Sequence, residues 1–412
     1  MSLPLSYWNL SRIAEHLLDH CRRHGLTIWA EYGTLLGALR HNGPIPWDYD
    51  GDFAMFVSDR QALLDSWRDE AYAEFELDIG YYSGDQGSGV AKLRGNEQDL
   101  VDIVFYRAED ERLVSCQTEQ NIADYRAFDG YIYAADEVIP LQPSTFLGQP
   151  VHLPAHPLRI LERHYGAWQE YPSERSDQYD SRWTRPPVRP LPRKCATTFA
   201  ELSALVESST VPFILHQTQF LNCDPTLYSE LVAKQQKPVF GYSSSISWDW
   251  AEHDVTSIHH DWLRNKLALN IVDSPLDAKE LLLSAEWQAF AKVRLTEANY
   301  HYALCWVFTN APKLTHWHTD PPFAGGYMKL LEGEKIWWCV APTDFAYLES
   351  RGHSVETLSK LTLVEMLQLE DSYLWGRIYV DTLRGGDLLW FPVNTLHKVL
   401  TTQHSLGFGG YL

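Results

Sequence analysis

The sequence predicts two domains, the first of mixed α and β structure and the second built mainly from β-strands. Its 412 residues exceed what one typical hydrophobic core holds. Helical and strand-like segments alternate in the first 170 residues, and glycine-bounded apolar strands are prominent after residue 310. Between them, residues 171–197 are polar and proline-rich, which favours an extended connector over the alternative, a proline-rich peptide ligand. We therefore assign residues 1–170 and 198–412 to the two domains.

The composition excludes several classes of protein. With 45% apolar and 13% aromatic residues, the chain is globular and not disordered. A net charge of −20 argues against a sequence-independent grip on nucleic acid, which requires clustered Lys and Arg. The six cysteines include no Cys-x-x-Cys pair, which fits a reducing compartment. No apolar run is long enough for a signal peptide or a membrane span, so we expect a cytoplasmic protein without a nucleic-acid partner.

The beginning of the chain predicts a helix, a strand and a second helix. Apolar residues recur at helical spacing until Gly25 ends the pattern. A short apolar strand over residues 27–30 follows, and a helix begins near Gly33 and Thr34. The first turn of a helix presents free backbone N–H groups, which form a ready phosphate site. Gly33 and Thr34 are therefore candidate phosphate contacts.

Acidic residues gather at the start of the next predicted strand. Asp50 and Asp52 are two residues apart, so both carboxylates project from one face. Such paired oxygen ligands suit Mg²⁺ that bridges the phosphates of a substrate. Asp102 lies inside an apolar strand, where an acidic residue is costly unless it is paired or bound to a metal. The alternatives are a calcium loop of EF-hand type, which requires Gly and Glu where this chain has neither, and a solvated acidic turn.

Two adjacent motifs resemble the LicD family. They are Gly-Thr-Leu-Leu-Gly-Ala-x-Arg-His over residues 33–41 and Ile-Pro-Trp-Asp-x-Asp-x-Asp over residues 45–52. The likeness covers about residues 8–170. The family includes bacterial phosphocholine transferases and fukutin-related ribitol-phosphate transferases. The resemblance implies an α+β nucleotidyltransferase-like fold that transfers a phospho-alcohol group from a cytidine diphosphate donor to a sugar hydroxyl.

The resemblance also implies roles for individual residues. Asp50, Asp52 and Asp102 would hold Mg(II) and act as the catalytic carboxylates, and Gly33, Thr34 and Lys92 would contact phosphate or nucleotide. Tyr49 stands where an acidic residue is common in the family. Catalysis would come mainly from charge neutralisation by the metal and from positioning.

In the second half, His318 and Asp320 form a His-x-Asp pair whose side chains share one face of an extended segment. His397 lies beyond a turn and a buried apolar strand. Two histidines and one carboxylate leave three coordination positions open and suit a non-haem Fe(II) that activates oxygen. We judge the nearby His316 and His404 to be bystanders.

Three further features accompany the pair. Lys335 is set among apolar residues, where a charged ammonium requires an anionic partner. Thr315 offers a hydroxyl three residues before His318. The glycine-rich strand over residues 407–412 is of the kind that lines a cavity. Trp248 and Trp250 could line a substrate pocket, but we favour core packing for both.

These residues resemble a JmjC domain, the cupin-type branch of the 2-oxoglutarate oxygenases, over residues 211–412. Their spacing is closest to the branch that includes plant-homeodomain-linked histone demethylases. The resemblance implies a mainly-β double-stranded β-helix (jelly-roll) with added helices, and O₂ as co-substrate. It further implies that His318, Asp320 and His397 hold Fe(II) while Lys335 and Thr315 bind the distal carboxylate of 2-oxoglutarate. Two positions depart from the family pattern, Met328 and Thr395.

Three functional hypotheses follow. The favoured one is a bifunctional enzyme that modifies a small molecule or glycan. Its oxygenase half would hydroxylate or N-demethylate an aliphatic C–H, and its transferase half would move a phosphocholine-type or phosphonate group. The second is a peptide hydroxylase or lysyl demethylase whose first domain only binds substrate. The third is a scaffold with two decayed sites. The sequence leaves the oligomeric state open.

Overall fold

The computed structural model describes residues 5–48, 50–70, 75–78, 90–95, 98–116, 132–168, 186–243, 249–264, 267, 269–322 and 324–412. The chain divides into two compact units. Unit 1 comprises Met1–Val188 and Leu363–Gly376, and unit 2 comprises Arg189–Thr362 and Arg377–Leu412.

The described helices are α1 (Leu5–His24), α2 (Tyr32–His41), α3 (Arg60–Glu70), α4 (Ala135–Val138), α5 (Pro157–Tyr165), α6 (Phe199–Ser208), α7 (Pro225–Lys234), α8 (Val255–Leu263), α9 (Ala285–Arg294), α10 (Pro342–Ser350), α11 (Val355–Leu358) and α12 (Leu363–Ser372). Short 3-10 turns cover Val57–Asp59, Lys279–Leu281 and Tyr300–Ala303. The strands are β1 (Ile28–Ala30), β2 (Gly51–Phe56), β3 (Phe75–Asp78), β4 (Val90–Gly95), β5 (Gln98–Glu109), β6 (Arg112–Ser115), β7 (Ile132–Ala134), β8 (Gln142–Phe146), β9 (Gln149–Leu153), β10 (Val188–Arg189), β11 (Arg193–Lys194), β12 (Phe213–Leu215), β13 (Val239–Tyr242), β14 (Ala251–His253), β15 (Asn270–Pro275), β16 (Cys305–Thr309), β17 (Lys313–His318), β18 (Gly326–Val340), β19 (Ile378–Arg384), β20 (Leu388–Phe391) and β21 (Leu396–Tyr411).

Unit 1 is a mixed sheet with helices packed on it. The strand order is β3-β4-β5-β2-β1-β9-β8, and β6 and β7 extend from β5. The β2–β5 and β1–β9 pairs are parallel, whereas β1–β2 and β4–β5 are antiparallel. Helix α1 packs against β5 and β9, and α2 against β2. The mixed sheet agrees with the α+β class expected from the sequence.

The first helix ends where the sequence indicated. Helix α1 ends at His24, and Gly25 follows with φ +66°, a left-handed conformation that glycine adopts without a steric penalty. Strand β1 and helix α2 then appear in the predicted order. Helix α2 begins at Tyr32, so Gly33 and Thr34 lie in its first turn.

One segment joins unit 1 from far along the sequence. Residues 363–376 belong to unit 1, whereas the sequence-based division places them in the second domain. Trp375 packs on Tyr7 of α1 with ring centroids 5.6 Å apart. The backbone N–H of Leu363 donates to Glu15 Oε1 at 3.2 Å. The local sequence of this short helix does not indicate which unit its apolar side chains pack against. Tertiary packing therefore decides that residues 363–376 belong to unit 1.

Unit 2 is organised around two long antiparallel strands, β18 and β21, which pair along most of their length. The first part of β18 also pairs with β20, and its second part pairs with β19. Similarly, β21 pairs first with β17 and then with β16. Strands β15, β13 and β14 extend from β16, and β12 and β11 extend from β20. This pairing is mainly antiparallel β structure with added helices; the double-stranded β-helix itself stays a prediction.

The proline-rich segment has structure where it is described. Residues 169–185 lie outside the described part of the chain. After them, β11 pairs in parallel with β12, and Leu191 is buried. The end of the predicted connector is therefore part of unit 2. No described helix is both long enough and apolar enough to cross a membrane.

Candidate active sites

The sheet of unit 2 brings the predicted iron ligands together. His318 ends β17 and lies opposite His397 on β21 in the strand register. The two imidazole centroids are 4.2 Å apart. Asp320 follows β17, and its Oδ1 lies 3.6 Å from Nε2 of each histidine. One donor atom from each of the three residues lies within 4.8 Å of the other two.

Backbone carbonyls orient both imidazoles. Nδ1 of His318 lies 2.7 Å from the carbonyl oxygen of His316, and Nδ1 of His397 lies 3.0 Å from that of Thr395. A carbonyl only accepts, so each Nδ1 must donate, and each Nε2 keeps its lone pair facing Asp320. Burial lowers the pKa of both histidines to about 4. Neutral imidazole is the form that binds metal ions.

The triad lies in a cavity of about 280 Å³. All the predicted cofactor residues of this half line it, namely Thr315, His318, Asp320, Lys335 and His397. Gly409 and Gly410 also line it, as expected for the glycine-rich last strand. A Cβ on Gly410 would lie 2.8 Å from the carbonyl oxygens of Tyr302 and Ala303, so only glycine allows this close packing.

Lys335 is buried in the wall of this cavity, with 2% of its surface exposed. Its Nζ donates to Thr309 Oγ1 at 2.9 Å and to Thr401 Oγ1 at 2.8 Å. Burial lowers the pKa of Lys335 to about 7. Within the described residues it forms no ion pair with a carboxylate. A buried ammonium held by two neutral hydroxyls is suited to bind an anionic group.

A hydrogen-bond chain joins Lys335 to Thr315. Thr309 donates to Asn270, and Asn270 donates to the phenol oxygen of Tyr242. That phenol lies 3.1 Å from Thr315 Oγ1. Tyr242 and Asn270 were not found from the sequence because they lie more than 40 residues before the His-x-Asp motif, in a segment without a recognisable pattern.

Three more cavity residues correct or extend the sequence-based prediction. Trp250 is 42% exposed and lines the cavity, so the prediction of core packing is wrong for it. Trp248 lies outside the described residues. Asp273 also lines the cavity and was not found from the sequence. Met328 lines it as well, at the position where the family pattern often has a polar residue.

In unit 1, two of the predicted carboxylates are neighbours on adjoining parallel strands. Asp52 on β2 lies opposite Asp102 on β5 in the strand register. Burial raises the pKa of Asp52 well above its ordinary value, and the negative charges of Asp50, Asp102, Asp48 and Glu31 raise it further. Such a concentration of negative charge favours a bound cation.

The full carboxylate triad does not converge as the histidine triad does. Among the side chains that the structure describes, groups of three possible ligands within 4.8 Å are His318/Asp320/His397 and His20/His24/Glu70, and Asp50/Asp52/Asp102 is not one of them. Asp50 is exposed and precedes the first residue of β2. Asp52 and Asp102 lie on paired strands, whereas Asp50 lies just before β2.

The predicted phosphate contacts lie beside these carboxylates. Thr34 Oγ1 accepts a hydrogen bond from the backbone N–H of Asp52 at 2.8 Å, so its hydroxyl positions the acidic strand. A Cβ on Gly33 would lie 2.9 Å from Asp48 Oδ2. A phosphate at this helix start would therefore need a cation between it and Asp48. The backbone of Lys92 on β4 lies opposite Asp102 in the strand register. The side chain of Lys92 and the whole of Tyr49 lie outside the described part of the chain.

Glu31 and Asp48 belong to this site but were not assigned from the sequence. Glu31 is 2% exposed, and its Oε1 accepts hydrogen bonds from Tyr106 at 2.8 Å and Tyr133 at 2.7 Å. Burial raises the pKa of Glu31 to about 7, although the two phenols partly oppose the shift. An acidic residue between a buried strand and a helix was the available signal for Glu31.

Comparison with known proteins bears on this part of the chain. Residues 25–156 match the family model described as LicD/FKTN/FKRP, nucleotidyltransferase domain. This segment is a LicD-type domain. The LicD-type domain contains Gly33, Asp52 and Asp102, together with Glu31 and Asp48.

The relatives cover the chain only in part. An uncharacterised protein of Rickettsia typhi is 26% identical over 170 residues, which are 40% of this chain and 48% of the relative. The lipopolysaccharide cholinephosphotransferase LicD of Haemophilus influenzae is 33% identical over 79 residues, 17% of this chain and 30% of that protein. The human ribitol 5-phosphate transferase FKRP is 40% identical over 50 residues, 12% of this chain and 10% of that protein. The chain thus spans about half the length of the rickettsial relative and a smaller share of the other two proteins.

Proposed function

We propose that the chain is a bifunctional enzyme, an Fe(II)- and 2-oxoglutarate-dependent oxygenase joined to a Mg²⁺-dependent LicD-type transferase. The observation that carries the oxygenase half is the pairing of the His318/Asp320/His397 cluster with buried Lys335 in one cavity. Neither group alone is specific. Together they supply a facial metal site and a cation for a dicarboxylate co-substrate.

The donor set fits Fe(II). Two neutral imidazoles and one carboxylate match the ligand preference of non-haem iron, and the backbone carbonyls of His316 and Thr395 fix both rings. When bound, Fe(II) would supply the redox chemistry that couples O₂ and 2-oxoglutarate to the oxidation of a substrate C–H. The products are the C–OH compound, succinate and CO₂; hydroxylation of an N-methyl group would then release formaldehyde.

The protein residues provide binding and exclusion of water. Lys335 and the Thr315 hydroxyl would bind the distal carboxylate of 2-oxoglutarate, and the Tyr242–Asn270–Thr309 chain would hold both groups in place. Burial of this network in an aromatic-lined cavity strengthens each polar contact because solvent does not compete.

The LicD-type domain carries the second activity. Asp52 and Asp102 on adjoining strands, with Asp48 and Asp50 acting on Asp52, would hold Mg²⁺ beside the phosphates of a CDP-linked or other nucleotide donor. The reaction would move a phosphocholine-type or phosphonate group to a small molecule or glycan. Thr34 would keep Asp52 in position through the backbone N–H of that residue.

Anaerobic spectroscopy tests the oxygenase proposal. Adding Fe(II) and then 2-oxoglutarate to the protein should give a weak visible charge-transfer band. The band should be lost in His318→Ala and kept in His316→Ala, because His316 contributes its backbone carbonyl and not its ring. A wild-type protein without the band, or a His318→Ala variant that keeps it, would show the proposal to be wrong.

Thermal shift tests the transferase proposal. CTP or CDP-choline with Mg²⁺ should stabilise the wild-type protein, and the effect should require the metal. The same measurement in Asp52→Asn should show no stabilisation. If no nucleotide stabilises the wild-type protein with or without Mg²⁺, the transferase proposal is wrong.

A further inference from the structure

Asp273 is a cavity carboxylate that the proposed oxygenase chemistry does not use. It lies at a register shift in β15, between the pairs Ile271–Phe308 and Ser274–Trp306. Its φ is +52°, an uncommon conformation for a residue other than glycine. Tyr411 donates a hydrogen bond to its Oδ1 at 2.8 Å. The irregular backbone thus directs a carboxylate into the cavity that contains the triad.

No positive side chain compensates this carboxylate in the described part of the chain. The hydrogen bond from Tyr411 is neutral. A half-buried carboxylate with one phenol partner is unfavourable unless a cation joins it.

The formal charges of the proposed complex point the same way. Two positive charges on Fe(II) and one on Lys335 are balanced by two negative charges on 2-oxoglutarate and one on Asp320. The sum is zero before Asp273 is counted. Asp273 therefore leaves one negative charge, which a substrate with a single positive charge would neutralise.

The cavity walls suit an organic cation. Six aromatic residues line the cavity: Tyr242, Trp250, Tyr327, Trp337, Phe391 and Tyr411. Trp250 is partly exposed and packs against Tyr242 with ring centroids 4.8 Å apart. Aromatic faces attract ammonium groups through their quadrupole. A carboxylate among aromatic walls suits a substituted ammonium, because the carboxylate attracts its charge and the rings contact its alkyl groups.

We propose that the oxygenase cavity binds a substrate carrying one alkylammonium or quaternary ammonium group, with Asp273 as its counter-ion. This inference rests on the proposed oxygenase function and adds the chemical class of its substrate. Tyr411 orients the Asp273 carboxylate, and the aromatic walls surround the alkyl substituents.

Matched pairs of charged and neutral probes test the inference. The full-length protein, held anaerobically with Fe(II) and 2-oxoglutarate, is titrated with choline and with its neutral isostere 3,3-dimethylbutan-1-ol, and separately with butylammonium and 1-butanol. Tryptophan fluorescence follows binding, since Trp250 and Trp337 line the cavity. At least one cation should bind at least about tenfold more tightly than its neutral counterpart.

The variants separate charge from shape. Asp273→Asn should lower the cation-to-neutral ratio to about one while the 2-oxoglutarate band is unchanged. Tyr411→Phe should keep a preference for the cation with weaker binding. Asp261→Asn on the exposed face of α8 should behave as wild type.

The outcomes distinguish this inference from the function on which it rests. A wild-type protein that forms the band but binds neither cation, or binds the neutral probes equally well, contradicts the inference alone. So does an Asp273→Asn variant that retains the preference. Absence of the band in wild type contradicts the oxygenase function and removes the inference with it.

Discussion

The two units hold their acidic and basic groups in different ways. In unit 2, two neutral imidazoles and one carboxylate lie with their donor atoms within 4.8 Å. In unit 1, Asp52 experiences the charges of three other aspartates and Glu31, and the predicted carboxylate triad is not drawn together to the same distance. The fold of unit 2 thus brings all three predicted ligands together. The fold of unit 1 places two of its three predicted carboxylates on neighbouring strands without closing the group.

Electrostatics explains the contrast. A neutral imidazole can be buried beside another once its Nδ1–H has a carbonyl partner. Carboxylates repel one another at close range, and desolvation adds to the cost. In both units the residues proposed to bind ligands have pKa values shifted against their charged forms, namely Asp52, Asp320 and Lys335. Neutral substitutions there should therefore weaken binding while stabilising the ligand-free protein.

The largest effect is expected at the proposed metal site of unit 2. Asp320→Asn should lower Mn(II) affinity, measured anaerobically by calorimetry, by more than about 100-fold because it replaces a proposed direct ligand. The melting temperature of the metal-free protein should not fall, since burial raises the pKa of Asp320. His316→Ala is the control. Unchanged Mn(II) affinity in Asp320→Asn would remove this residue from the site.

The second-largest effect is expected for Lys335→Met. Loss of a buried cation should weaken 2-oxoglutarate binding by about 100-fold or more. Lys329→Met is the matched control, because Lys329 is a second buried lysine on β18 that donates to the carbonyl oxygens of Thr218 and Gly386. If both variants bind 2-oxoglutarate as wild type does, Lys335 does not bind the co-substrate.

Lys335 also predicts a pH dependence. Its folded pKa of about 7 lies below the ordinary value of 10.5, so the unfolded chain binds more protons between these values. The stability contribution of Lys335 in the ligand-free protein should therefore rise as pH increases above 7. Binding of 2-oxoglutarate at pH 8 should take up a proton, which calorimetry in buffers of different ionisation enthalpy measures. Lys335→Met should show neither effect.

In unit 1, Asp52→Asn should lower Mg²⁺-dependent nucleotide affinity by at least about tenfold. It should also raise the melting temperature without Mg²⁺ by about 2–4 °C for each kcal/mol of repulsion removed. Asp65→Asn on α3 removes one exposed charge from the same unit and serves as control. A lower melting temperature in Asp52→Asn would mean that the carboxylates do not destabilise one another.

An effect on stability alone, without loss of ligand binding, is expected for Glu31→Gln. Burial raises the pKa of Glu31 from 4.5 to about 7, so the folded protein binds more protons than the unfolded chain between these values. The wild type should lose stability as pH rises from 4.5 to 7, by about 2–3 kcal/mol. Glu31→Gln should be more stable than wild type at pH 8 and equal to it at pH 4 by chemical denaturation. A pH-independent difference would contradict the assignment.

Motifs that lie close together in the sequence were predicted well. The Gly25 helix end and the start of α2 follow from local pattern. The His-x-Asp pair likewise requires only an extended backbone. Each of these depends on interactions within a few residues or on the period of a strand.

Residues brought in by long-range packing were missed. Tyr242, Asn270 and Asp273 reach the cavity because β13, β15 and β16 extend the sheet from β21. Core packing was predicted for Trp250 because a tryptophan in the sequence does not show whether its side chain faces the interior or a solvent-accessible cavity. The placement of residues 363–376 in unit 1 also depends on contacts with α1 that no local pattern encodes.

The sequence by itself determined which groups each half offers: several carboxylates in the first, and two histidines, one carboxylate and one lysine among apolar residues in the second. Side-chain type and strand period suffice for that, because they depend on residues close in the chain. Only the tertiary structure decided which groups share a cavity. It placed Asp273 and the aromatic walls beside the triad and left Asp50 at the exposed start of its strand, because strand pairing between distant segments fixes those distances.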